Sequence, residues 1–180
     1  MSQSQHSDAP TPSQAALVAE QIGRAPRAPW RTAASCSFGR PTVIVSPSRF
    51  DDGTPFPTYA WLTCPHLLEL VSAAESAGEA AGFAQRASTD EALAAGLRAI
   101  DERVRELRAS ESGGADACAT VGIGGQRDPL GVKCLHVHVA LALLGEADPI
   151  GIELLASIDR ECEHDRCAAL VRATTPEEDA

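Results

Sequence analysis

The stretch from Val132 to Leu144 constrains this chain more than any other. Val132-Lys133-Cys134-Leu135-His136-Val137-His138 sets a thiol, two imidazoles and the only lysine into a strongly apolar segment, and Val139 to Leu144 continues it without a polar side chain. A run of this kind folds into the core, and polar groups carried inside must find partners there. Read as a helix that begins after Pro129-Leu130-Gly131, it puts Cys134 and His138 on one face, a turn apart, and points His136 the other way. Two ligand-type side chains at that spacing can grip a metal or a reactive group without strain.

The remaining residues say what kind of body surrounds this segment. A chain of 180 residues, 44% of them hydrophobic, is long enough for one domain with a real core. Only 4% are aromatic, so Ala, Val, Leu and Ile must build that core. A formal charge of −10 argues against a general nucleic-acid binder and against adhesion to an anionic membrane. No apolar run reaches the roughly 18 residues of a membrane span, and Met1 to Ser13 lack the apolar centre of a signal peptide. The expected location is therefore cytoplasmic, where six cysteines are thiols, metal ligands or small core residues rather than disulfides.

Along the chain, residues 1–12 read as a disordered tail, 13–160 as a single globular domain and 161–180 as an acidic, cysteine-containing tail. A short helix is predicted from Ser13 to Ile22, stopped by Gly23, followed by an extended connection from Arg24 to Arg31. Strands at Pro41–Val45 and Tyr59–Thr63 form an antiparallel hairpin with a long proline-rich tip. Pro65 opens a helix that Gly78 ends. Ser88 and Glu91, spaced as a capping box, start a long helix to about Arg108 with the stripe Leu93, Leu97, Ile100, Val104 and Leu107. The charges on its other faces read as a solvated surface. Asp148-Pro149 caps a last helix. The predicted fold is α+β, a mostly helical single domain with a small antiparallel β-hairpin packed on helices.

The chemistry rests on cysteine and histidine. Cys64 lies at a strand–helix junction, where the helix dipole can lower a thiol pKa and favour a nucleophile or a metal ligand. Should the hairpin fold against the Cys134 helix, Cys36, Cys64, Cys134 and His138 can surround one cation, a tetrahedral zinc set, with an iron–sulfur cluster the lesser alternative. His136 and Lys133 are then left for supporting or substrate roles, and His136 or Asp52 for proton transfer. The loop Gly122-Ile123-Gly124-Gly125 offers backbone N–H groups to an anion through Gly122, Gly124 and Gly125, or simply turns the chain. Cys162, His164 and Cys167 can add a ligand or form an exposed tail. Two further readings stay open: a thiol enzyme or redox sensor using Cys64, and an interaction module that docks a protein partner through the long charged helix.

Asp52-Gly53-Thr54-Pro55-Phe56-Pro57-Thr58, Trp61-Leu62-Thr63-Cys64-Pro65, the Val132–His138 segment and Asp148-Pro149-Ile150-Gly151 together resemble the bacterial family labelled domain of unknown function 501, found mainly in high-GC Gram-positive bacteria. The resemblance spans about residues 15 to 160 and rests on several separate motifs. It implies cysteines at 36, 64 and 134 and histidines at 136 and 138, and it implies no activity. Where the family pattern has C-x-C-G, this chain has Cys36-Ser37-Phe38-Gly39, so Phe38 replaces a ligand-type residue for which Cys162 or Cys167 can compensate.

Overall fold

A computed structural model describes residues 9–174. The expected tail at 1–12 lies largely outside them, and the part that is described is ordered. Thr11 caps helix α1 (Pro12–Ile22) in a reciprocal capping box with Gln14, and Gly23 closes it in the left-handed conformation at φ 71°.

Three strands follow, β1 (Arg31–Ser35), β2 (Pro41–Val45) and β3 (Ala60–Leu62), paired antiparallel in the order β1-β2-β3. The predicted hairpin is the β2–β3 pair, with Val43 opposite Leu62 and Val45 opposite Ala60. Every residue of Pro-Thr-Val-Ile-Val in β2 is buried, as a central strand covered on both faces requires. Strand β1 corrects the sequence reading, which left this stretch without an element. Arg-Thr-Ala-Ala-Ser has weak strand propensity, and β1 pairs through two register irregularities, so its pattern is faint.

Helices α2 (Pro65–Ser76), α3 (Glu79–Ala87) and α4 (Glu91–Glu111) come next. α3 also exceeds the prediction: only Phe83 and Ala87 of it are buried, too few for an apolar stripe. The start of α4 shifts as well, because Asp90 rather than Ser88 is its cap, accepting from the N–H groups of Ala92 and Leu93 at 3.0 and 3.1 Å. The stripe Leu93, Leu97, Ile100 and Val104 is buried as expected.

The charged faces of α4 are not all solvated. Arg108 is wholly buried, and its guanidinium donates to Asp116 and to the carbonyls of Pro57, Cys118, Val121 and Gly122. Asp101, also buried, accepts the N–H of Ile123 at 2.9 Å and pairs with Arg105. These two side chains fasten the 116–126 loop to α4. Gly122 is required there, since a Cβ at that position would run into the Asp101 carboxylate.

Helix α5 (Leu135–Leu143), apolar but for His136 and His138, lies against β3, α2 and α6 (Pro149–Ser157). Asp148 joins α5 to α6: one oxygen caps α6 through the Gly151 N–H at 2.8 Å, and the other accepts from Nδ1 of His138 at 2.8 Å. Gly151 sits on the His138 carbonyl so closely that any side chain there would collide with it. Beyond residue 160 the described residues carry one more helix. Helix α7 (Ala168–Thr174) packs on α1, and the loop before it is fastened to the sheet end by Arg40–Asp165 and Ser37–Glu161 contacts at 2.7 Å each. The fold is α+β and mostly helical, with seven α-helices and one three-stranded sheet among the described residues. No helix among them is long and apolar enough to cross a membrane.

Candidate metal centre

The local conformation at Cys134 decides where its thiol points. Cys134 is not inside a helix; it is the residue before α5, extended at φ −150° and ψ 121°. The one-turn pairing with His138 therefore does not form. The thiol instead meets His136, with Sγ 3.5 Å from Nδ1. From the C-terminal end of α2, Glu75 reaches the same place: its Oε1 is 3.2 Å from His136 Nδ1 and also accepts the Leu135 N–H. The carboxylate thus caps α5, where the helix dipole favours negative charge. One turn back on α2, the Ser72 hydroxyl lies 3.2 Å from His136 Nε2 and fixes the other edge of the ring.

The ligand atoms of Glu75, Cys134 and His136 all lie within 4.8 Å of one another, the one group of this kind among the described residues. Glu75 and His136 keep 29% and 21% of their side-chain surface exposed, so solvent and small ions reach the group. Burial pushes the Cys134 thiol above its ordinary pKa, and the Glu75 carboxylate pushes the same way. Beside it lies a cleft of about 450 Å³, walled by Trp61, Leu68, Gly124, Cys134 and His136. Arg24 stands at its rim, 5.3 Å from the centre of the Trp61 ring.

The structure separates the four ligands expected from sequence. Cys64 begins α2 and Glu75 nearly ends it, eleven residues apart by number, which is about 16 Å of helix. Cys134 is at the Glu75 end, so it cannot share a cation with Cys64. Cys36 lies in the β1–β2 turn, at the Cys64 end. His138 is fully buried on the α6 side of α5, bonded to Asp148, and its Nε2 has no hydrogen-bond partner. Lys133 is exposed.

The helix N-terminus does act on Cys64, since the N–H groups of His66 and Leu67 draw its pKa down, but burial outweighs them and the thiol ends above its ordinary value. In the glycine loop the Ile123 N–H is taken by Asp101 and the Gly122 N–H by the Gln126 carbonyl, so the protein supplies its own acceptors. Sequence reasoning missed Glu75 and Ser72. They occupy ordinary helical positions, and only the packing of α2 on α5 gives them meaning.

A family model described as "Protein of unknown function (DUF501)" matches residues 32–156, and the chain belongs to that family. Comparisons with curated proteins and with solved structures find no match.

Proposed function

We propose that this protein binds a divalent metal ion, zinc, on Glu75, Cys134 and His136. The convergence of a carboxylate, a thiol and an imidazole within 4.8 Å carries the reading. One thiolate and one carboxylate balance the charge of a dication, and sulfur with imidazole suits zinc better than magnesium or calcium. Ser72 at the far ring nitrogen orients the imidazole, as outer hydrogen bonds do at metal sites. Three protein ligands leave a fourth tetrahedral position for water or a bound molecule, and the neighbouring cleft gives such a molecule room.

A second reading uses the same atoms without a metal: Cys134 as nucleophile and His136 as its base, favoured by their 3.5 Å approach. The raised thiol pKa opposes it. Elemental analysis of protein purified without a metal-affinity column tests both. The zinc reading expects about one equivalent to disappear in Cys134→Ser and in Glu75→Gln but to persist in Cys118→Ser. Unchanged zinc in Cys134→Ser overturns it. Rapid, selective alkylation of Cys134 in metal-free protein would move the case to the nucleophile.

A further inference from the structure

The other end of α2 gathers four cysteines from three separate segments. Thr63 donates its N–H to Thr42 and its hydroxyl to Pro41, which sets Cys64 beside the β1–β2 turn that carries Cys36. The loop after α6, which holds Cys162 and Cys167, is drawn over both. Its anchors are Ser37 to Glu161 and Arg40 to Asp165 at 2.7 Å, His66 Nε2 to the Asp159 carbonyl at 2.9 Å, and Arg166 to Glu69 at 2.9 Å. Underneath, the buried Gln21 amide donates to Pro41 at 3.0 Å and to the Cys167 sulfur at 3.4 Å. All four cysteines are free thiols.

Cys64 and Cys167 are brought to the same strand end, because the Pro41 carbonyl accepts both from Thr63, next to Cys64, and from the Gln21 amide that also reaches the Cys167 sulfur. Arg40 adjoins Cys36 and Cys167, while Arg166 adjoins Cys64 and Cys162. Four thiolates around a dication leave two excess negative charges, and the two nearby guanidinium groups are already paired with Asp165 and Glu69. No three of the sulfurs lie within 4.8 Å of one another, so the set is looser than the Glu75 group. Cys36, Cys162 and Cys167 sit outside helices and strands, so the set would draw together on binding an ion.

We propose that Cys36, Cys64, Cys162 and Cys167 form a second metal site, a closed four-thiolate site for zinc that fastens the C-terminal segment to the sheet. Binding releases the four thiol protons to solvent and fills all four tetrahedral positions, so the site is structural. Two of its ligands lie beyond residues 32–156, so this site reaches outside the family-matched region.

The test is zinc stoichiometry on the full chain, with cobalt(II) replacing zinc to report ligands through its absorption. The site predicts that Cys162→Ser combined with Cys167→Ser loses about one equivalent together with the intense sulfur-to-cobalt band of a four-thiolate site. Cys134→Ser is expected to keep that band. Its persistence with a single lost equivalent upholds both sites. Its persistence with no equivalent lost upholds this site and sinks the Glu75 one. A double variant that matches wild type in metal and spectrum overturns the four-cysteine site. If that variant fails to fold, wild-type protein is alkylated with and without a zinc chelator. Joint exposure of Cys36, Cys64, Cys162 and Cys167 on chelation supports the site, whereas chelator-independent labelling, or a Cys64–Cys162 disulfide in place of metal, overturns it.

Discussion

Arg108 and Glu75 are both charged residues near the end of a helix, and the protein uses them in opposite ways. Arg108 is sealed from solvent, with five protein groups accepting from it. Its valence is spent on structure. Glu75 remains partly exposed, and its carboxylate oxygen, the Cys134 sulfur and a His136 ring nitrogen lie within 4.8 Å of one another. The contrast teaches how to tell scaffold from site in a protein with many buried polar atoms. A network with every donor answered holds the fold, and a cluster of acceptors facing one another invites a cation.

The largest effect that would sharpen this contrast belongs to Arg108. Arg108→Met leaves Asp116 buried without its partner and is expected to cost about 3–5 kcal/mol in urea unfolding, with zinc content per folded chain unchanged. A cost below about 1 kcal/mol would break the comparison, because Arg108 would then not be scaffold. Gly122→Ala strikes the same network sterically through Asp101, and about 1–3 kcal/mol of stability should go.

At the candidate centre the ranking reverses. Glu75→Gln should change stability by no more than about 1 kcal/mol, since an amide oxygen can still accept the Leu135 N–H, while zinc affinity collapses. Ser72→Ala should lower zinc affinity by about tenfold and leave the melting temperature in place. Isothermal titration calorimetry separates these two outcomes, and an unaltered affinity in both variants would remove the centre.

The smallest effect serves as a baseline. The exposed Arg86–Glu153 pair holds the Glu153 carboxyl below its ordinary pKa. A depressed carboxyl contributes above its unfolded pKa and loses that contribution as pH falls through the folded value. NMR titration of Glu153 should therefore show a midpoint under 4.5, abolished in Arg86→Ala, with almost no change in unfolding free energy.

Much of the fold was legible because it depends on local signals. The stripe of α4, the proline opening α2, the Asp148 cap of α6 and the β2–β3 pair all follow from spacing and turn chemistry. What was hidden depends on partners distant in sequence. Asp101 and Arg108 have the composition of surface residues, and only a loop folded over α4 turns them inward. Cys134 was read inside a helix that starts after Gly131, but α5 starts three residues later, at Leu135, and its cap position turns the thiol from His138 to His136. The segment 161–174 looked like a tail because its attachment is made by separate ion pairs and a short helix rather than by a long apolar run.

The Gly151 contact has a mechanical consequence. With no side chain between them, α6 rests on the α5 backbone at His138, and Asp148 clamps the same two helices through the His138 ring, two residues on from His136. The pair has no slack, so Cys134 and His136 ride on a stiff platform. Any adjustment in the bite around an ion must come from Glu75, whose carboxylate is carried on a flexible stem from α2. On the proposed metal reading the site is a fixed jaw and a movable one, and a preference among cations of different radius would follow how far the movable jaw swings.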